Sequence, residues 1–153
     1  MPFNVFVSYS TKDLPLVTRV QRVLADASIQ VFVAEHSVQP GDSLAGKITT
    51  AIDACDLFIL LWSPESRESG WVQQEAGMAL AKKKTVLPIL LSPELELPGF
   101  LRGIKYLRAH QDIEGALAWL RQNVFERVQA KQRTEGLVWL GVGAAVLLIL
   151  SRE

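Results

Sequence analysis

The chain is short of the residues that build disulfide frameworks and metal centres. Cys55 is the only cysteine in 153 residues, which excludes an internal disulfide. The two histidines, His36 and His110, stand far apart, so no zinc-type ligand spacing can be assembled. Net charge is missing too: sixteen basic residues balance sixteen acidic ones, and there is no global field to draw the protein onto nucleic acid. The amino terminus lacks a basic region, and its short apolar stretch stops at Ser8, which argues against a cleaved secretory signal. A reducing, cytosolic setting is the expectation.

What is present suffices for one domain of ordinary size with a buried core. Three runs rich in aromatic and β-branched residues, Asn4 to Val7, Gln30 to Val33 and Leu57 to Trp62, are each followed by polar residues and then a helical pattern. Leu16, Val17, Val20, Val23, Leu24 and Ala27 give one apolar stripe, and Leu44, Ile48, Ala51, Ile52 and Cys55 give another. Asp13 is placed to cap the first helix, with Pro15 in its opening turn, and Asp42 or Ser43 to cap the second. Leu57 to Trp62 shows no polar alternation, as a strand covered on both faces requires. A third helix starts near Ser69 or Gly70 and ends around Lys82-Lys83-Lys84. A fourth strand spans Thr85 to Leu91, and Ile104 to Leu107 fits a short fifth. Ile113, Leu117, Leu120, Val124 and Val128 mark a last amphipathic helix. The alternation predicts a doubly wound α/β fold with a parallel sheet of about five strands.

One long hydrophobic run stands apart. From Gly136 to Ser151 no residue is charged, and Leu137 to Leu150 is apolar on every face. As a helix it is roughly 24 Å long at the usual rise per residue, short against a hydrocarbon core of about 30 Å. Two readings stand, a core or oligomer-contact helix and a membrane-spanning tail. Its position after a complete domain and its lack of a polar face favour the tail, with residues 1–132 as the domain and 133–153 as the anchor. Arg127, Lys131 and Arg133 precede the run and only Arg152 follows, so the positive-inside rule keeps the domain cytoplasmic.

In an open parallel sheet, ligands bind beyond the carboxyl ends of the strands. Those positions are polar here: Ser8-Tyr9-Ser10-Thr11 after the first strand, Glu35-His36-Ser37 after the second, and Ser63 after the third, before the helix bearing Trp71 and Glu75. Trp71 and Glu75 are i and i+4 and share a helix face, beside the stripe of Val72, Ala76, Ala79 and Leu80. Breaking an N-glycosidic bond to a cationic leaving group needs little acid catalysis, because the group departs neutral. What needs stabilising is the oxocarbenium-like sugar, and a carboxylate serves that purpose. Glu75 has the right group, although a lone helical glutamate is also compatible with a solvated surface charge. Cys55 continues a core stripe and reads as a buried thiol.

The residues resemble those of bacterial and archaeal TIR domains. The matching stretches are Phe6-Val7-Ser8-Tyr9-Ser10 with Lys12-Asp13, then Val31-Phe32-Val33-Ala34-Glu35-His36 running into Gln39-Pro40-Gly41-Asp42-Ser43-Leu44, then Ala51-Ile52 before Asp56, and Ser69-Gly70-Trp71-Val72-Gln73-Gln74-Glu75. The resemblance covers about Phe3 to Leu91 and implies a flavodoxin-like sheet. It also implies that Glu75 occupies the position of the family's catalytic glutamate, with Ser8, Tyr9, Ser10, Glu35 and Trp71 at the NAD site, and that Glu35 to Leu44 is the loop of TIR–TIR assembly. Many enzymatic members hydrolyse NAD+ to nicotinamide and ADP-ribose or cyclise the product, often in defence. The substrate expected is therefore NAD+, with no metal or flavin cofactor and no nucleic-acid partner. The alternative is a noncatalytic assembly module at a membrane, since some members signal by association alone.

Overall fold

The computed structural model describes residues 1–33 and 43–151, with side chains described to residue 136. The elements run β1 (Phe3–Ser8), α1 (Leu14–Val23), β2 (Ile29–Val33), α2 (Leu44–Ala54), β3 (Leu57–Trp62), α3 (Pro64–Arg67), α4 (Gly70–Ala81), β4 (Val86–Leu90), β5 (Leu107–Arg108) and α5 (Ile113–Ser151). The strands form one sheet in the order β2-β1-β3-β4-β5, and every neighbouring pair is parallel. The expected five-stranded α/β sheet is what the chain forms. Right-handed crossovers place α1 on one face of the sheet and α2 and α4 on the other; α2 packs on α4, and α5, which follows the last strand, packs on α1.

The central strands carry the core. All six residues of β3 are buried, as the unbroken apolar run requires of a strand sandwiched between helices. Phe32, Phe6 and Phe58 lie in register across β2, β1 and β3. Their rings stack, with centroids 5.2 Å apart for Phe6 and Phe32 and 5.1 Å for Phe6 and Phe58. Because side chains alternate along a strand, Phe6 and Ser8 share one face of β1. That is the face on which α4 packs, since Ser8 bonds to α4.

Several expectations shift in detail. Ile113 opens α5 but is 40% exposed, while Leu117, Leu120, Val124 and Val128 are buried. Ala27 falls outside α1 and is exposed. The fifth strand is shorter and later than Ile104 to Leu107, because Gly103, at φ 86, is still turning the chain and only Leu107 and Arg108 pair with β4. The carboxylate of Asp13 does not cap α1, nor does the Ser43 hydroxyl cap α2. Asp42 lies outside the described residues. The third helix stops at Ala81, and the lysine run forms its turn, with Lys83 in the left-handed region at φ 58.

The tail differs most from expectation. The helix α5 passes residues 132 and 133 without a break and continues to Ser151. Among the described residues no helix is long and apolar enough to cross a membrane, so the expected membrane-spanning tail gains no support. The side chains of the apolar run from 137 onward lie outside the description. Lower on α5, the Lys131 ammonium donates to the Pro2 carbonyl and to Asp56 Oδ2, each at 2.9 Å. Both partners stand at the amino ends of strands, so α5 runs from the carboxyl rim of the sheet back to its opposite end.

Candidate active site

The strand order reverses between β1 and β3, and the crevice beyond their carboxyl ends is where a ligand is expected in such a sheet. The residue that ends β1 there is Ser8, and its side chain is fully buried. Its hydroxyl donates to Glu75 Oε1 at 3.1 Å. Glu75 is only 2% exposed, on the stripe of α4 that also buries Val72, Ala76 and Ala79. The reading of Glu75 as a solvated surface charge is therefore overturned. A buried carboxylate loses its hydration and is retained only with compensation. Burial pushes the Glu75 carboxyl up to about 7, against the opposing effect of the Ser8 hydrogen bond.

The other rim residues take different places. Tyr9 is buried beside Ser8. Ser10 caps a 3-10 turn, Thr11–Asp13, by accepting from the Lys12 amide at 3.4 Å. Trp71, one turn before Glu75, is half-buried and packed against the core. Glu35 and His36 lie outside the described residues. Ser8 and Glu75 are thus brought into contact, and Tyr9 and Ser10 follow Ser8 in the loop after β1.

Local sequence explains how α4 is aimed. Ser69 caps it, accepting from the Val72 amide at 3.3 Å. Before it comes α3, which sequence reasoning missed. Its start is a reciprocal capping box: Ser63 Oγ accepts from the Ser66 amide at 3.1 Å, and Ser66 Oγ accepts from the Ser63 amide at 2.7 Å. The signal was present as Ser63-Pro64-Glu65-Ser66, with a proline in the first turn. The Asp13 carboxylate, expected to cap α1, instead accepts from Ser63 Oγ at 2.5 Å. Burial raises the Asp13 carboxyl, nearby Glu65 raises it further, and the Ser63 bond opposes both.

Clefts of about 450 Å³ beside β2 and about 540 Å³ beyond β4 are lined by residues other than Ser8 and Glu75. The site therefore rests on the buried Ser8–Glu75 bond at the switch point, not on cavity size. Among the described residues no group of three or more histidine, cysteine or acidic side chains is placed to hold a metal ion. Cys55 is buried, and burial lifts its thiol to about 11. Native protein at pH 8 should consequently resist iodoacetamide for hours and react within minutes once denatured, as intact mass would read directly.

The model of the TIR domain family matches residues 5–122. The chain belongs to the TIR domain family. Over 66 residues it is 32% identical to the Brachypodium distachyon protein named "Probable 2' cyclic ADP-D-ribose synthase BdTIR", covering 43% of this chain and 30% of that protein. Over 105 residues it is 31% identical to an Actinoplanes protein named NAD(+) hydrolase ApTIR, covering 61% of this chain and 15% of that protein. This TIR chain thus spans less than a third of the length of either relative. Among solved structures it is similar to the TIR domain of a Toll-related receptor of Hydra magnipapillata, with a TM-score of 0.61 and 26% identity over 82% of this chain and 97% of that one.

Proposed function

We propose that this TIR domain cleaves the nicotinamide–ribose bond of NAD+, with Glu75 as the catalytic carboxylate. The observation that carries the reading is the buried Ser8–Glu75 pair at the β1/β3 switch point. Support comes also from the two relatives, whose names describe NAD+ hydrolysis and cyclic ADP-ribose synthesis. In the reaction the bond from ribose C1′ to the ring nitrogen breaks, and nicotinamide leaves neutral with the bonding pair. Glu75 stabilises the positive charge left on the sugar. The oxygen of water then bonds to C1′ and sheds a proton to solvent, giving the linear product, or a nucleophile of the same molecule bonds there with loss of its proton and gives a cyclic one. Tyr9, Ser10, Trp71 and Glu35 are assigned to NAD+ contact on the family resemblance.

Association of TIR domains through Glu35 to Leu44 belongs to the same proposal, as does attachment to a membrane through residues 133–153 with the domain on the cytoplasmic side. The first rests on the family resemblance and the second on the uncharged run from Gly136 to Ser151. Both would raise the local concentration of domains and suit a defence or stress-signalling role. Extraction with alkaline carbonate tests the attachment, because a peripheral protein is released without detergent.

The full chain, clustered on a bead surface, should release nicotinamide from NAD+. The reactive form is the ionised carboxylate, so kcat/KM should fall about tenfold per pH unit below the Glu75 midpoint. With that midpoint near 7, the rate at pH 5 should be roughly one-hundredth of the plateau. A profile flat from pH 5 to 8, or no nicotinamide release from clustered, folded protein, would sink the reading.

A further inference from the structure

We propose that Asp13 and Ser63 are positioning residues for Glu75: their hydrogen bond ties the loop after β1 to the loop after β3 and so holds the Ser8 hydroxyl on the Glu75 carboxylate. The inference rests on the proposed role of Glu75 but reaches residues outside it. Its basis is a complete accounting of the hydroxyl groups at the end of β3.

Ser63 is 2% exposed and Ser66 is fully buried, so neither hydroxyl turns to water. Each carries one proton and two lone pairs. Ser66 Oγ gives its proton to the Ser63 carbonyl at 3.2 Å and accepts the Ser63 amide at 2.7 Å. Ser63 Oγ accepts the Ser66 amide at 3.1 Å. The Ser63 proton then has two acceptors in reach, Asp13 Oδ2 at 2.5 Å and Ser66 Oγ at 3.3 Å. The shorter contact is to a carboxylate, which is the stronger acceptor. Asp13 therefore accepts this hydrogen bond, and the capping box is completed by a residue from another loop.

The two ends of the resulting strap bear on the site. On one side Asp13 closes the 3-10 turn, its amide donating to the Ser10 carbonyl at 2.8 Å. That turn follows Ser8, Tyr9 and Ser10 directly, so anchoring Asp13 fixes a short stretch whose first side chain meets Glu75. On the other side Ser63 begins α3, and the Ser69 amide donates to the Ser66 carbonyl at 3.0 Å. Ser69 in turn caps α4, which carries Trp71 and Glu75. One hydrogen bond thus joins the support of the donor to the support of the acceptor. Reacting groups displaced by about 1 Å can lose on the order of a hundredfold in rate, so a bond with this location acts through kcat.

The test uses the full chain in detergent, with glutamate carboxyl carbons labelled and the Glu75 signal assigned by its loss in Glu75→Gln. Asp13→Ala should move the Glu75 titration midpoint upward, the direction also expected of Ser8→Ala, because both weaken the hydrogen bond to the ionised form. In the same variant kcat for nicotinamide release should fall 10- to 100-fold with KM within about twofold. Asp13→Asn keeps an acceptor oxygen at the same reach and should restore most of both. If Asp13→Ala does not fold, Asp13→Ser, too short to reach Ser63, takes its place with the same expectation. A Glu75 midpoint unchanged from wild type in a folded variant overturns the proposal, and so does failure of Asp13→Asn to restore it. If the midpoint moves and is restored but wild type cleaves no NAD+, the strap stands and the NAD+ reading falls.

Discussion

Glu75→Gln should abolish nicotinamide release and, at pH 8, make the protein more stable than wild type. The activity arm follows from losing the carboxylate charge proposed to stabilise the reacting sugar, and losses of about a hundred- to a thousandfold in kcat attend removal of such a group. The stability arm follows from linkage. Burial lifts the Glu75 carboxyl from 4.5 in the unfolded chain to about 7 in the fold. Between those values the folded state holds the proton more tightly, so folding is favoured at low pH and that advantage is lost as pH rises through 7. Fully ionised, the buried carboxylate costs up to roughly 3 kcal/mol. Glutamine keeps an oxygen for Ser8 and carries no charge. At pH 8 its melting temperature should exceed that of wild type by about 5 °C, and at pH 4 the two should agree within about 1 °C. A folded variant that keeps its activity would remove Glu75 from catalysis, and one less stable at pH 8 would mean that the ionised carboxylate holds the fold together.

Phe6→Ala should destabilise the domain more than any change at the rim. Phe6 is fully buried between Phe32 and Phe58, so truncation removes two ring stacks and leaves a cavity in the middle of the sheet. Losses of about 3–5 kcal/mol are usual for such a change, against a total stability of roughly 5–15 kcal/mol for ordinary domains. Urea unfolding of the variant should therefore show a midpoint reduced by about a fifth or more, with the slope little changed. Phe6 is also the residue before Ser8 on the same face of β1, the face on which α4 carries Glu75. Water admitted by the cavity should lower the Glu75 midpoint, the opposite direction from Asp13→Ala. A drop in stability below about 1 kcal/mol would mean that the stack closes up around the alanine.

Much of this arrangement was legible in the residues, and the limits have physical causes. The strand β3 could be bounded to the residue because Leu57 to Trp62 is apolar on both faces and polar residues flank it. Ser69 was legible as the start of α4 because capping is local. Glu75 was placed beside the apolar stripe of α4, whereas i+3 from Val72 and i+4 to Ala79 put it on the stripe, so its burial could have been read from spacing alone. Asp13 was read as a cap because a cap is the nearest use for an aspartate before Pro15. Its actual partner, Ser63, is fifty positions away and is met only when β1 and β3 pair. The short α3 escaped because four residues carry no period to detect.

The direction of α5 settles which end of the molecule points where. Ile113 starts it at the rim that holds Ser8 and Glu75, Lys131 is fastened to the amino ends of the strands, and the helix runs on for roughly 30 Å more. Whatever grips its far end holds the domain like a lamp on a stalk, with the rim that bears Ser8 and Glu75 turned outward. Neighbours standing on the same base would press flank against flank and leave every such rim facing the bulk solution, so packing side by side would leave the rims clear.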